Sequence, residues 1–184
     1  MMEPLNVLGI CGSLRRFSTN MGLLRYAREH APAGMVINLA DLSKMPFYNA
    51  DIKEKPAAVA ALFKQMEWAD AFLFGCTEYN YSTAPALKNA LDWASREPEN
   101  RLLAGKPAAI VGAGGGMGSA RAQYHLRQVC VYLDLKLINK PEVFSNAKSD
   151  SFNTEGQLVD SRIQGLIGQQ LDVLMSWAKR VRGE

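Results

Sequence analysis

Residues 5–20 read LNVLGIC followed by GSLRRFSTN, and this stretch decides the architecture. Leu5–Cys11 is short, rich in branched apolar residues and has no polar alternation. That pattern suits a strand buried on both faces. The following residues, Gly12 to Asn20, are polar and small, and from Thr19 onward Leu23, Leu24, Ala27 and Ala31 recur at helical spacing until Pro32 and Gly34 end the pattern. A buried strand leading through a tight loop into a helix is the first half of a βαβ unit.

The same alternation continues along the chain. Met35–Leu39 (MVINL), Ala71–Cys76 (AFLFGC), Pro107–Gly112 (PAAIVG) and Leu135–Ile138 read as further strands. Between and after them lie helical patterns. One carries Val59, Leu62, Phe63 and Met66. The next carries Ala84, Leu87, Leu91 and Ala94, with Ser82 or Thr83 as its expected N-cap and Pro85 in its first turn. A third holds Ala122, Leu126, Val129, Cys130 and Leu133, and a long closing one runs from Ile163 to Ala178. Asp41–Pro56 and Ser145–Gln157 read as loops. Strands alternating with helices form a parallel sheet covered on both faces. The expectation is an α/β, three-layer, flavodoxin-like fold, with a five-stranded parallel sheet in the order 2-1-3-4-5 and helices on both faces. One domain spanning residues 1–184 is expected, since length and composition leave no room for a second.

Composition removes several function classes. The chain has 21 basic and 18 acidic residues, a net +3, with no basic stripe of the kind nucleic acid requires. Cys11, Cys76 and Cys130 are widely spaced, with no paired or histidine-linked spacing, so they read as buried packing residues of a reducing compartment rather than zinc ligands. No apolar run approaches the length of a membrane span, and the N-terminus lacks the basic and small-residue features of a signal peptide. The expected location is the cytoplasm, without membrane or nucleic-acid partners.

In a doubly wound sheet, ligands bind beyond the carboxyl ends of the strands. That selects the loops Gly12–Asn20, Thr77–Thr83 and Ala113–Ser119. In the first, Ser13, Ser18, Thr19 and Asn20 offer hydroxyls and an amide, Arg15 offers a charge, and the following helix offers free N–H groups, a combination suited to phosphate. An ordinary N-cap beside a solvated arginine pair reads equally well from this loop alone. In the second, Tyr79 and Tyr81 bracket Asn80, which suits a planar heteroaromatic ring; a surface loop with half-buried tyrosines is the plainer reading in isolation. In the third, Gly114, Gly115, Gly116 and Gly118 allow close backbone approach to a ligand. Neither a Walker A loop nor a G-x-G-x-x-G fingerprint is present, because Met117 breaks the latter. A mononucleotide therefore fits better than a dinucleotide as the resident ligand. With His30 and His125 the only histidines, and both within helical patterns, nucleophilic catalysis through Cys76 or Ser82 has little support.

Taken together, GSLRRFSTN, EYNYSTAPALKNALDWASR, GKPAAIVGAGGGMG and ARAQYHLRQ resemble the NADPH-dependent FMN reductase family, and within it the quinone and chromate reductases, from about Leu5 to Phe144. The resemblance implies one non-covalent FMN per subunit. Ser13, Arg15, Ser18, Thr19 and Asn20 would surround its phosphate. Glu78, Tyr79, Asn80, Tyr81 and Ser82 would line the ribityl chain and ring, and Gly114, Gly115 and Gly116 would cover the other side of the ring. It also implies hydride transfer from NADPH or NADH to the flavin and two-electron delivery to a quinone, or to chromate, an azo dye or free flavin. A homodimer or homotetramer is implied too, with the ALKNALDWASR helix at an interface, Arg96 reaching a neighbouring pocket, and Arg121, Tyr124 and Glu142 in a polar network between subunits. In one respect the chain departs from the family: Thr77 stands where proline usually precedes the glutamate. The competing readings are a single-electron carrier of the same fold and a non-catalytic flavin-binding module. Carriers of that kind are usually strongly acidic, which a net +3 opposes.

Overall fold

A computed structural model of the protein describes residues 3–183; the outermost residues of the expected 1–184 domain, Met1, Met2 and Glu184, lie outside it. The strands are β1 (Leu5–Cys11), β2 (Met35–Leu39), β3 (Ala71–Gly75), β4 (Glu78–Tyr79), β5 (Ser82–Thr83), β6 (Pro107–Gly114), β7 (Lys136–Leu137) and β8 (Val143–Asn146). The α-helices are α1 (Thr19–Glu29), α2 (Ala57–Trp68), α3 (Pro85–Ala94), α4 (Ala120–Tyr132) and α5 (Ser161–Arg182).

The main sheet runs β2-β1-β3-β6-β7, every pair parallel, as expected from the alternation. Its last position is shared. β7 pairs with the start of β6 at Pro107 and Ala108, and β8 pairs with its end from Val111 to Gly114. The expected fifth strand, Leu135–Ile138, is therefore only the lower half of that edge. Part of the expected 145–157 loop belongs to β8, because the chain leaves the sheet near the cis Lys140–Pro141 bond and returns.

Period-two alternation divides the core between the two faces of the sheet. Leu8, Ile10, Phe72, Phe74 and Ile110 face α2, α3 and α4, whereas Val7, Cys11, Leu73, Ala109 and Val111 face α1 and α5. The strands can be apolar throughout for this reason, and the helices need only one apolar stripe each. The expected N-cap of α3 was Ser82 or Thr83, but the cap residue is Ala84 and no side chain caps it. Both residues instead form β5, paired antiparallel with β4, and the Thr83 hydroxyl donates to the Ala122 carbonyl.

Gly22 marks where α1 meets the loop before α5. A Cβ there would lie 1.9 Å from the Gly156 carbonyl oxygen. Gly22→Ala gains about 1 kcal/mol of helix propensity but forces the two backbones apart, at a cost of about 1–3 kcal/mol. A net loss of stability is expected in urea unfolding; a raised midpoint would show that the loop yields freely.

Candidate functional site

The loops following β1, β3 and β6 converge at the carboxyl ends of those strands. Ser13, Arg15, Ser18, Thr19, Asn20, Glu78, Tyr79, Gly114 and Gly115 line one cavity of about 190 Å³, joined by Thr77, Ala113, Ala147 and Lys148. Nine of the thirteen expected site residues thus share a wall, while Asn80, Tyr81, Ser82 and Gly116 lie outside that lining. A second, more apolar bay of about 440 Å³ adjoins it at Arg15 and Tyr79 and includes Leu14, Leu42, Phe47 and Pro85. A larger cavity of about 470 Å³ lies between β7 and α5. It is at the opposite end of the sheet, because β7 pairs with the start of β6, and ligand sites of this architecture lie at the strands' carboxyl ends.

The N-terminus of α1 forms one wall. The Ser18 hydroxyl caps the helix by accepting from Met21 N–H at 3.2 Å. Among the described residues, no hydrogen-bond partner is recorded for the N–H groups of Thr19 and Asn20. Two free donors at the positive end of a helix suit an anion. The Ser13 hydroxyl accepts weakly from Arg15 N–H at 3.4 Å. The side chain of Asn20 is committed to the protein: its Nδ2 donates to the Ala113 carbonyl at 2.8 Å, and its Oδ1 accepts from Ala113 N–H at 2.9 Å. Asn20 can therefore offer its backbone N–H to a ligand while its amide holds α1 against the end of β6.

The hairpin β4–β5 forms the opposite wall. Its two turn residues, Asn80 and Tyr81, have φ of 48° and 69°, the left-handed geometry of a tight two-residue hairpin. Asparagine tolerates this conformation and tyrosine rarely adopts it. Contacts from α4 hold it: the Arg121 guanidinium lies 3.6 Å from the Tyr81 ring centroid, and its Nε donates to Glu78 at 2.9 Å. The other Glu78 oxygen accepts from Ala122 N–H in the first turn of α4, a favourable place for a carboxylate. Ser82 Oγ lies 3.0 Å from His125 Nδ1. Glu78 and Ser82 therefore engage α4 with their side chains.

The glycine loop closes the third side. The Gly114 carbonyl accepts from Ala147 N–H, which brings Ala147 and Lys148 to the cavity. Sequence reasoning missed Lys148 because its place depends on the register Gly114↔Asn146, for which the polar 145–157 segment carries no signal. At Gly115 and Gly116 a Cβ would point into open space, so each side chain would occupy room that the bare backbone leaves to a ligand.

These features fit FMN. Thr77 Oγ1 is buried with no hydrogen-bond partner, at the wall where a polar ligand atom would satisfy it. Arg15 and Lys148 would supply a phosphate's counter-charge and the free N–H groups its donors, and the adjoining bay would offer an apolar surface to a flat ring. Burial pushes the Cys76 and Cys130 thiols up to about 12, and raises Cys11 as well. Burial thus disfavours the thiolate form that a cysteine nucleophile requires.

The expected intersubunit residues have partners within the chain. Arg96 donates to Ser95 Oγ and lies 5.8 Å from the Tyr48 ring centroid. Tyr124 Oη donates to Glu142 at 3.3 Å, and Arg121 is held by Glu78. On α3, the stretch expected at an interface buries Leu87, Leu91 and Trp93 in the chain's own core.

Replacing Asn20 with alanine orphans two buried backbone groups, each at a cost of about 1–3 kcal/mol. Asn20→Ala should lower the urea midpoint accordingly; an unchanged midpoint would show that the pair is dispensable.

Comparison with known proteins agrees with this geometry. The family described as NADPH-dependent FMN reductase matches residues 5–150. An NAD(P)H-dependent FMN reductase of Pseudomonas aeruginosa is 50% identical over the whole of both chains. An NAD(P)H:quinone oxidoreductase of Solanum tuberosum is 45% identical over 98% of this chain and 96% of that one. Among solved structures, the flavoenzyme NAD(P)H:(acceptor) oxidoreductase FerB of Paracoccus denitrificans superposes with a TM-score of 0.84 at 28% identity, covering 95% of this chain and 97% of that one. With the pattern matched across most of its length and its three site loops brought together, the chain belongs to the NADPH-dependent FMN reductase family.

Proposed function

We propose that the protein binds FMN in the cavity between α1, the β4–β5 hairpin and the glycine loop, and uses it to reduce quinones with NAD(P)H. The observation that carries this reading is the convergence of free helix N–H groups, Arg15, Lys148 and the unpartnered Thr77 hydroxyl on one cavity beside an open apolar bay. When bound, the flavin supplies hydride acceptance from the nicotinamide and two-electron donation to the acceptor.

The chain's own residues have separate tasks. Thr19 and Asn20 N–H groups, with Arg15 and Lys148, bind the phosphate. Gly114 and Gly115 admit the ligand's edge against bare backbone, with Gly116 just beyond. Tyr79, which lines both spaces, separates the polar cavity from the bay and orients the ring. Leu14 and Phe47 give the bay apolar walls that suit a nicotinamide or a quinone. Asn80 and Tyr81 hold the hairpin's shape. Ser13 and Ser18 order the loop and cap the helix, and Glu78 and Ser82 fix the hairpin to α4.

The same reading includes a cytoplasmic protein that works as a homodimer or homotetramer. The three free, buried cysteines suit a reducing compartment, and no helix among the described residues is long and apolar enough to cross a membrane. Tyr124, Val131 and Tyr132 are exposed on α4, at 55%, 80% and 76%. Their i, i+7, i+8 spacing puts them on one helix face. That face, rather than α3, is the surface we assign to a second subunit. Light scattering should give a mass of at least two chains; an FMN-loaded monomer would remove the assignment.

Purified protein should show the visible bands of oxidised flavin and oxidise NADPH rapidly with benzoquinone, and Cys76→Ala should retain most of that activity. A protein that refuses FMN, or one whose turnover survives without flavin and vanishes in Cys76→Ala, defeats the reading. Arg15→Ala removes a charge-assisted bond of about 1.5–3 kcal/mol and should weaken FMN about tenfold to a hundredfold in flavin fluorescence titration. Unchanged retention would show that Arg15 is merely solvated.

A further inference from the structure

Beside the apolar bay lies a recess of about 310 Å³ whose charge the reduction of quinones does not itself explain. Arg15, Arg16 and Arg25 all line it. Among the described residues, none of the three has a carboxylate within 4.0 Å, whereas Arg101, Arg121 and Arg182 each do. The acid on the recess wall, Asp41, accepts from Ser43 N–H at 2.9 Å. This bond, with the Ser43 hydroxyl, holds the Asp41 carboxyl below its usual range and turns its charge toward its own loop. Three unpaired guanidiniums against one committed carboxylate make a site for a multiply charged anion.

The position of the recess narrows the choice of anion. It shares Leu14, Arg15, Leu42 and Ser43 with the bay that suits the nicotinamide, so the two form one continuous surface. Its far wall comes from the loop after β2, through Ala40 to Ser43. In dinucleotide sites of related architecture, the segment after the second strand reads the adenosine ribose. There an acid accepts a free 2′-hydroxyl, and an arginine receives a 2′-phosphate. Here the acid is engaged with its own loop, and the arginines have no carboxylate partner among the described residues, Arg16 lying 5.0 Å from the Phe17 ring centroid.

From this arrangement we infer that Arg16 and Arg25 form a subsite for the 2′-phosphate of NADPH and set the enzyme's preference for NADPH over NADH. The inference rests on the reductase reading for the nicotinamide's place. Arg15, at the junction of all three spaces, serves the flavin phosphate and the donor together. Arg16 and Arg25 lie outside the flavin cavity's lining and are exposed, so the donor's phosphate can reach them without displacing FMN.

Two measurements on the FMN-loaded protein test this. In calorimetry, 2′,5′-ADP should bind at least tenfold more tightly than ADP, and Arg16→Ala/Arg25→Ala should abolish the difference. Equal binding of the two nucleotides to the unmodified protein overturns the subsite. In steady-state kinetics, the ratio of kcat/KM for NADPH over NADH should fall at least tenfold in the double variant, and by a smaller factor in Arg25→Gln. An unchanged ratio overturns the inference, including the case where both donors weaken equally because the arginines grip the shared pyrophosphate. Loss of FMN absorbance from the double variant also overturns it, by assigning the arginines to the flavin. A protein that distinguishes 2′,5′-ADP from ADP but fails to oxidise NADPH keeps the subsite and defeats the reductase reading instead.

Discussion

The site depends on one reciprocal pair, the Asn20 side-chain amide with both backbone groups of Ala113. It connects residues 93 positions apart and is buried at both ends. Asn20 stands in the first turn of α1, and Ala113 stands one residue before the end of β6. Joining them fixes the helix N-terminus relative to the glycine loop, and the cavity is the space between. The pairing of β6 with β3 stops at Val111, so on that side Ala113 has no strand partner, and an unmade buried bond there is costly. One asparagine satisfies both groups of Ala113 and still leaves its own N–H facing the cavity.

The hairpin wall is held in a different way, through charge. Tyr81 has an unfavourable backbone conformation, of a kind that persists where surrounding contacts over-determine it. Arg121 supplies those contacts by stacking on the tyrosine ring and bonding Glu78. Glu78 also bonds the first turn of α4. The hairpin, the arginine and the helix therefore form one unit, and disturbing any member should reshape the wall that carries Tyr79.

The sheet and its order could be read from the sequence because strands buried on both faces leave long apolar runs, and β1, β3 and β6 do so. The three site loops could be read because their composition differs from that of ordinary connections. What the sequence concealed depends on pairing over distance. β8 and Lys148 are placed by register with β6, not by local pattern. Ser82 and Thr83 look like caps in one dimension, and become strand residues only when Glu78 and Tyr79 fold back to meet them. Asn20 looks like a ligand for phosphate because its partner lies on a distant strand.

The formal charge of +3 is small for the whole chain, but its distribution is uneven. Near the site, each acid is engaged by a protein partner. Arg121 and a helix N–H hold Glu78, and the Ser43 loop holds Asp41. The nearby bases Arg15, Arg16, Arg25 and Lys148 have no such partners among the described residues, although all line the cavities at the mouth of the sheet. Local engagement of the acids thus leaves basic side chains free of carboxylate partners at the mouth of the sheet, where phosphate-bearing molecules would enter. A low-dielectric cleft strengthens the field of such side chains and raises encounter rates with anions. The same net charge spread evenly would do neither, so pairing rather than composition makes this end of the fold suited to nucleotides.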